Sequence, residues 1–183
     1  DLLPTTTAAL DHGSYRSFVN LEEIDKEKGL EIPFKVQSRF MPYHMDNLDV
    51  AVEQLSYIVR DKSIVDALKR AEGEEKRERF LAFWKKQDPT PQTIRNELME
   101  EYYRRAAYAN KQFTQFYPGW KTDRGMVYMI LGPPDEVERN AFEPDVKPYQ
   151  IWKYRKYNRS FVFLKEDDHE FRLQNPNWDI LNR

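Results

Sequence analysis

Asp123, Arg124, Asp135 and His169 are the side chains whose types could combine into a reaction centre. Gathered in one pocket, two carboxylates and an imidazole could move protons while a guanidinium clamps an anionic group, the layout of a hydrolase or lyase. Each also has a local reading. Asp123 beside Thr122 offers a helix cap, and His169 belongs to Asp167-Asp168-His169-Glu170, a polar hairpin tip. Arg124 alone lacks an evident local duty and could clamp a carboxylate, either that of Asp135 or one from a partner. Other chemistries find no support. Gly-x-Ser-x-Gly and His-Glu-x-x-His are missing, and the Asp167–Glu170 run lacks the spaced ligands and central glycine of a cation loop. In Gly132-Pro133-Pro134-Asp135 a single glycine is followed by prolines that remove amide donors, so this is a helix stop and not a phosphate cradle. Cysteine is absent, which excludes disulfides and thiolate chemistry. No catalytic residue, metal ligand or cofactor is assigned.

Partners follow from composition. The 183 residues carry 29 Lys and Arg against 31 Asp and Glu, so no chain-wide basic field gathers nucleic acid. One local exception is Lys153, Arg155, Lys156 and Arg159 interleaved with Tyr154 and Tyr157, where an anionic surface or nucleic acid could bind. Lysines there also serve to blunt a sheet edge. With 14% aromatic residues the chain is a core-forming protein despite 33% charged ones. A chain of this length buries roughly 70% of its unfolded surface. No apolar run reaches the ~18 residues of a membrane span. The first residue is Asp1, as expected of a chain whose signal peptide has been removed or of a longer one cut short.

Period divides the chain. Residues 1–45 read as an extended arm or the remnant of a preceding β-rich domain, with extended segments at Tyr15–Val19 and Phe34–Phe40 and a solvated turn from Ile24 to Gly29. Residues 46–117 read as a helical block. Leu48, Val52, Leu55 and Val59 form a stripe capped by Asp46 or Asn47. Ser63 with Asp66 resembles a capping box, and Glu74–Lys86 forms a third helix with Phe80, Phe83 and Trp84 on one face. After the rigid Asp88-Pro89-Thr90-Pro91 break, Leu98, Tyr102, Ala106, Ala109, Phe113 and Phe116 mark a long helix capped by Thr93, its surface carrying Glu100–Arg104 and Glu101–Arg105 pairs. Residues 118–183 read as a short helix capped by Thr122 or Asp123 and stopped at Gly132. Antiparallel strands follow near 136–140, 150–156, 161–165 and 171–174. The fold class is α+β.

The run Gly119-Trp120-Lys121-Thr122-Asp123, with Leu131-Gly132-Pro133-Pro134-Asp135 after it and Phe83-Trp84, Asn96-Glu97 and Glu101-Tyr102-Tyr103-Arg104-Arg105 before it, resembles the GWxTD domain family. The resemblance spans about residues 48–174. It implies a bacterial, often exported protein of the periplasm or cell envelope that follows a β-rich segment, and it implies no activity. A weaker likeness of layout, a short helix ending in Leu131-Gly132-Pro133-Pro134 before strands with Ile151-Trp152-Lys153-Tyr154, is to the two-layer BamE/SmpA-like fold. The acylated N-terminal cysteine of such lipoproteins is missing here.

The expectation is therefore a non-enzymatic envelope module that contacts another envelope protein or a neighbouring domain. Trp120 is expected to plug the seam between helical block and sheet. Thr122, Asp123, Arg124, Gly132, Asp135, Trp152 and Tyr154 are the other structural or interaction candidates, aromatics and arginine being what interfaces favour.

Overall fold

The computed structural model describes residues 13–19, 30–36, 47–93, 95–140 and 147–174. Contacts divide the chain into two units, Asp1–Tyr43 and His44–Arg183. In the first, β1 (Gly13–Val19) pairs antiparallel with β2 (Leu30–Val36), Gly13 opposite Val36 and Val19 opposite Leu30. Residues 24–29, residues 37–40, His12 and His44 lie outside the described residues.

The second unit is α+β: helices α1 (Leu48–Gln54), α2 (Lys62–Arg70), α3 (Gly73–Lys86), α4 (Glu97–Phe113) and α5 (Asp123–Leu131), then an antiparallel sheet. The helix starts are set by short polar side chains that satisfy orphan amides. Asn47 Oδ1 accepts from Asp49 N at 2.8 Å, starting α1 where expected. Two other starts differ from expectation. Asp61, not Ser63, caps α2, accepting from Ser63 N at 2.9 Å. Asn96, not Thr93, caps α4, because its Oδ1 takes Met99 N at 2.9 Å while its Nδ2 donates to Trp84 O at 2.7 Å, tying α4 to the end of α3. Thr93 instead donates to Arg95 O at 2.6 Å.

The buried stripe of α4 is Met99, Tyr102, Tyr103, Ala106, Ala109 and Phe113. Leu98 and Phe116, assigned to that stripe by spacing, are exposed, since the helix ends at Phe113 and its buried face is centred one residue later. Glu101 holds both Arg104 and Arg105, and Glu100 pairs instead with Arg95 at 3.5 Å. Tyr102 and Tyr103 meet Trp84 of α3 with ring centroids 5.7 Å apart in both cases. Their hydroxyls donate into α1, to Gln54 O and, at 3.0 Å, to Ala51 O. Burial, first of all, pushes both phenol pKa values above the ordinary tyrosine range.

Strands β3 (Glu136–Asn140), β4 (Tyr149–Tyr154), β5 (Arg159–Lys165) and β6 (Phe171–Leu173) run in the order β3-β4-β5-β6, all antiparallel. Trp152 lies opposite Phe161 and Phe163 opposite Leu173, so one face is apolar and turned inward. A second aromatic cluster joins that face to the helices: Phe113 of α4 and Tyr128 of α5 lie 5.6 and 6.4 Å from the Trp152 ring, with Phe163 4.9 Å beyond.

Glycines fix how the helices meet. An added Cβ on Gly119 would lie 2.1 Å from Ala109 O, and one on Gly125 would lie 1.9 Å from Gly119 O. Both obstacles are backbone and cannot rotate away. Gly125→Ala is expected to cost about 3 kcal/mol, the upper end for overpacking a site that cannot yield. The urea-unfolding midpoint measures it, and an unchanged midpoint would show that the two backbones do not touch.

Candidate functional site

The Gly119–Arg124 stretch is organised by helix ends. A single 3₁₀ turn, Gly119–Lys121, links α4 to α5. Thr114 and Asn110 at the end of α4 hold it: Gly119 N donates to Thr114 Oγ1 at 2.8 Å and Trp120 N to Asn110 Oδ1 at 3.2 Å. Thr122 is the α5 cap. Its hydroxyl donates to Gly119 O at 2.7 Å and accepts from Gly125 N at 3.0 Å.

Trp120 is 5% exposed. Its ring meets Tyr57 edge-on, centroids 5.8 Å apart at 73°, and Lys121 Nζ lies over it at 4.9 Å. The Tyr57 hydroxyl donates to Trp120 O at 3.1 Å. Trp120 therefore locks the turn to the 3₁₀ segment Leu55–Tyr57 that follows α1, a joint among helical elements and not the expected seam with the sheet. Burial, followed by the carboxylates of Asp123 and Glu53, pushes the Tyr57 phenol up to about 12.

The seam with the sheet is made by neighbours. Asp123 Oδ2 accepts from Leu173 N of β6 at 2.8 Å, and Tyr154 donates to Gly132 O at 2.9 Å. Gly132, at φ 81°, stops α5 where a side chain would be strained. Trp152 and Tyr154 sit on the inner face with their rings covered, so neither presents a surface to a partner.

Arg124 is 7% exposed, its guanidinium 4.2 Å from the Phe171 ring centroid and 5.0 Å from that of Phe113. Its charged form is disfavoured chiefly by burial, against which Glu170 acts, while Arg139 adds to the disfavour. Glu170 is 2% exposed. Among the described residues, Arg124 Nε and Glu170 Oε1 find no hydrogen-bond partner. The clamp on Asp135 does not form. Asp135 Oδ2 instead accepts from Arg155 N at 2.7 Å.

The four candidate reactive residues are thus not brought together. Asp123 is anchored at Leu173, opposite Phe163, and Asp135 at Arg155, next to the Tyr154–Arg159 pair. Along β5 these two pairs are four residue steps apart, about 13 Å. His169 stands exposed in the β5–β6 turn at φ 65°, where Asp168 binds Glu170 N at 3.0 Å and Arg172 at 2.8 Å. The basic stretch is paired in its first half: Lys153 contacts Glu136 and Glu138, and Arg155 lies 3.8 Å from Glu136. Among the described residues no cluster of His, Asp or Glu is placed to hold a metal, and no helix is long and apolar enough to cross a membrane.

Tyr57, Asn110, Thr114 and Glu170 were not foreseen as members of this arrangement. Tyr57 falls one residue beside the α1 stripe, and the three polar residues have no local pattern that marks a distant partner.

An α+β module whose diagnostic residues build a helix–turn–helix joint is what these contacts define. The chain belongs to the GWxTD domain family, whose model, described as "GWxTD domain", matches residues 19–177. No curated protein and no solved structure matches it.

Trp120→Ala is expected to cost about 3–5 kcal/mol in chemical denaturation, and Tyr57→Phe about 1 kcal/mol for one hydrogen bond. Tyr57 ionises later in the folded chain than in the unfolded one, so its contribution is complete below pH 10 and is lost as pH rises toward about 12. Ultraviolet titration of Tyr57→Phe should lack that late step. For the buried charges, Arg124→Met or Glu170→Leu alone should each destabilise by about 3–5 kcal/mol, whereas the double substitution should recover most of the loss. Additive losses in the double-mutant cycle would mean that the two groups do not interact.

Proposed function

We propose that this chain is a non-enzymatic interaction module of the bacterial cell envelope. The observation that carries the reading is a division of labour around the signature. Trp120, Thr122, Asp123 and Arg124 spend their rings and polar atoms inside the molecule, while the two aromatics just before the signature are left outside: Phe116 is 72% and Tyr117 56% exposed. Exposed aromatics close together are what protein interfaces use as anchors. The separation of Asp123 from Asp135 speaks against a hydrolase or lyase centre built from those two carboxylates. Placement in the envelope follows from the family resemblance; the partner is another envelope protein or a neighbouring domain.

Photocrosslinking in cells from position 117, with and without Phe116→Ser, tests the reading. The expected result is a discrete crosslinked protein that disappears in the Phe116→Ser variant while the melting temperature is retained. Trp120→Ala should act differently, lowering abundance through lost stability. Hydrolytic or lyase turnover by the purified protein, abolished by Asp123→Asn with the fold intact, would overturn it.

A further inference from the structure

On the side of the helical layer formed by the loop before α2, the end of α3, the start of α4 and the end of α5, a cleft of about 390 Å³ opens to solvent. Its walls are mainly aliphatic and aromatic: Ile58, Ile64, Phe83, Leu98, Met129 and Ile130. Ile64 and Leu98 stay exposed at its mouth although they are large and apolar, and the volume falls in the range of small-ligand sites. Several separate elements supply the walls, so the shape is fixed by the fold and not by one mobile loop.

The polar groups around the cleft say what kind of ligand fits. Asp61 is engaged with Ser63 N. Glu101 is shared by two arginines, taking Arg105 Nε at 2.8 Å on one oxygen and Arg104 Nε at 2.9 Å on the other. Free partners are few: Trp84 Nε1 is buried in the lining without a hydrogen-bond partner and Arg105 Nη1 is only loosely engaged, so an extended peptide, with an amide at every residue, would leave most of its polar groups unpaired. An unbranched hydrocarbon chain has no such cost. At the Glu101 end, two guanidinium groups face one carboxylate, an excess of one positive charge; Arg60 and Asp61 contribute one charge of each sign. Arg105 Nη1 otherwise reaches only the Met129 and Ile130 carbonyls, each at a long 3.4 Å. We infer that this cleft binds the aliphatic chain of an anionic amphiphile of the fatty-acid kind, with its head beside Arg104 and Arg105. This site is independent of the aromatic surface assigned above.

Calorimetry on the full chain with dodecanoate, kept below its micellar concentration, tests it. Saturable binding of one molecule is expected, with dodecyl maltoside, which has the same tail and an uncharged head, about tenfold weaker. Leu98→Glu and Ile64→Glu, both at exposed positions, should weaken either ligand at least tenfold while the melting temperature holds. Arg104→Gln, on a solvent-exposed side chain, should bring the two ligands to similar affinities. Co-sedimentation with phosphatidylglycerol vesicles, lost in Leu98→Glu, would assign the chain to a membrane lipid; monomer binding without vesicle binding would assign it to a free fatty acid. Absence of saturable dodecanoate binding, or binding unchanged by Leu98→Glu, would overturn the inference. So would a helical peptide displacing dodecanoate at a lower concentration than dodecanoate itself requires.

Discussion

Two missing Cβ atoms set the geometry of this module. At Gly119 the chain passes against the Ala109 carbonyl of α4, and at Gly125 the first turn of α5 passes against the Gly119 carbonyl. Three backbone segments are stacked without side chains between them, closer than ridges-into-grooves packing of helices allows. The approach also solves a polar problem. A helix end leaves four unpaired amides or carbonyls, and here Thr122 answers from both sides, donating to Gly119 O and accepting from Gly125 N. The direction in which α5 leaves the turn is thereby fixed, and with it the position of the sheet that Asp123 and Gly132 hold at its two ends.

The same economy recurs elsewhere. Many of the long-range polar contacts run from a side chain to a backbone group of another element: Tyr102 and Tyr103 into α1, Tyr57 into the signature turn, Asn96 to the end of α3, Asp123 to β6 and Tyr154 to Gly132. Each contributes on the order of 1 kcal/mol net. Their larger effect is on specificity, because a shifted element would leave both a buried hydroxyl and a buried carbonyl unpaired. The apolar contribution comes from two aromatic clusters, one on Trp84 and one on Trp152, which fuse the helices to each other and to the sheet.

How much of this was legible depended on the range of the interaction. The α5 cap at Thr122 and the stop at Gly132 are local patterns and appear as read, whereas the strand expected over 150–156 ends at Tyr154, where Arg155–Tyr157 turn into a 3₁₀ segment. The cap of α2 went to Asp61, one residue before the helix and in reach of Ser63 N, and that of α4 to Asn96, whose side chain also satisfies the distant Trp84 O. The α4 stripe was displaced for a related reason: Tyr103 rather than Leu98 faces the core because its hydroxyl has Ala51 O to reach. Trp120 was recognisable as a buried joint, but not its partner, since nothing local ties it to Tyr57 across 63 positions. For the reactive-looking residues, sequence supplied the types, and only the register of β5 shows that Asp123 and Asp135 are held apart.

Arg124 and Glu170 are the departure from an apolar interior, and their placement bears on the short strand β6. Buried opposite charges are commonly replaceable by hydrophobic residues without loss of stability, so stability alone does not explain them. Register does. β6 has three residues, of which Phe171 and Leu173 face inward and Arg172 outward toward Asp168. A slip of one residue would turn Arg172 inward. With Arg124 already buried beside Phe171, that slip would set two guanidinium groups against each other in a region short of water. In the native register Arg124 meets aromatic rings and the field of Glu170 instead, while Asp123 receives Leu173 N. The buried charge therefore acts as a gauge for a strand too short to fix its own alignment.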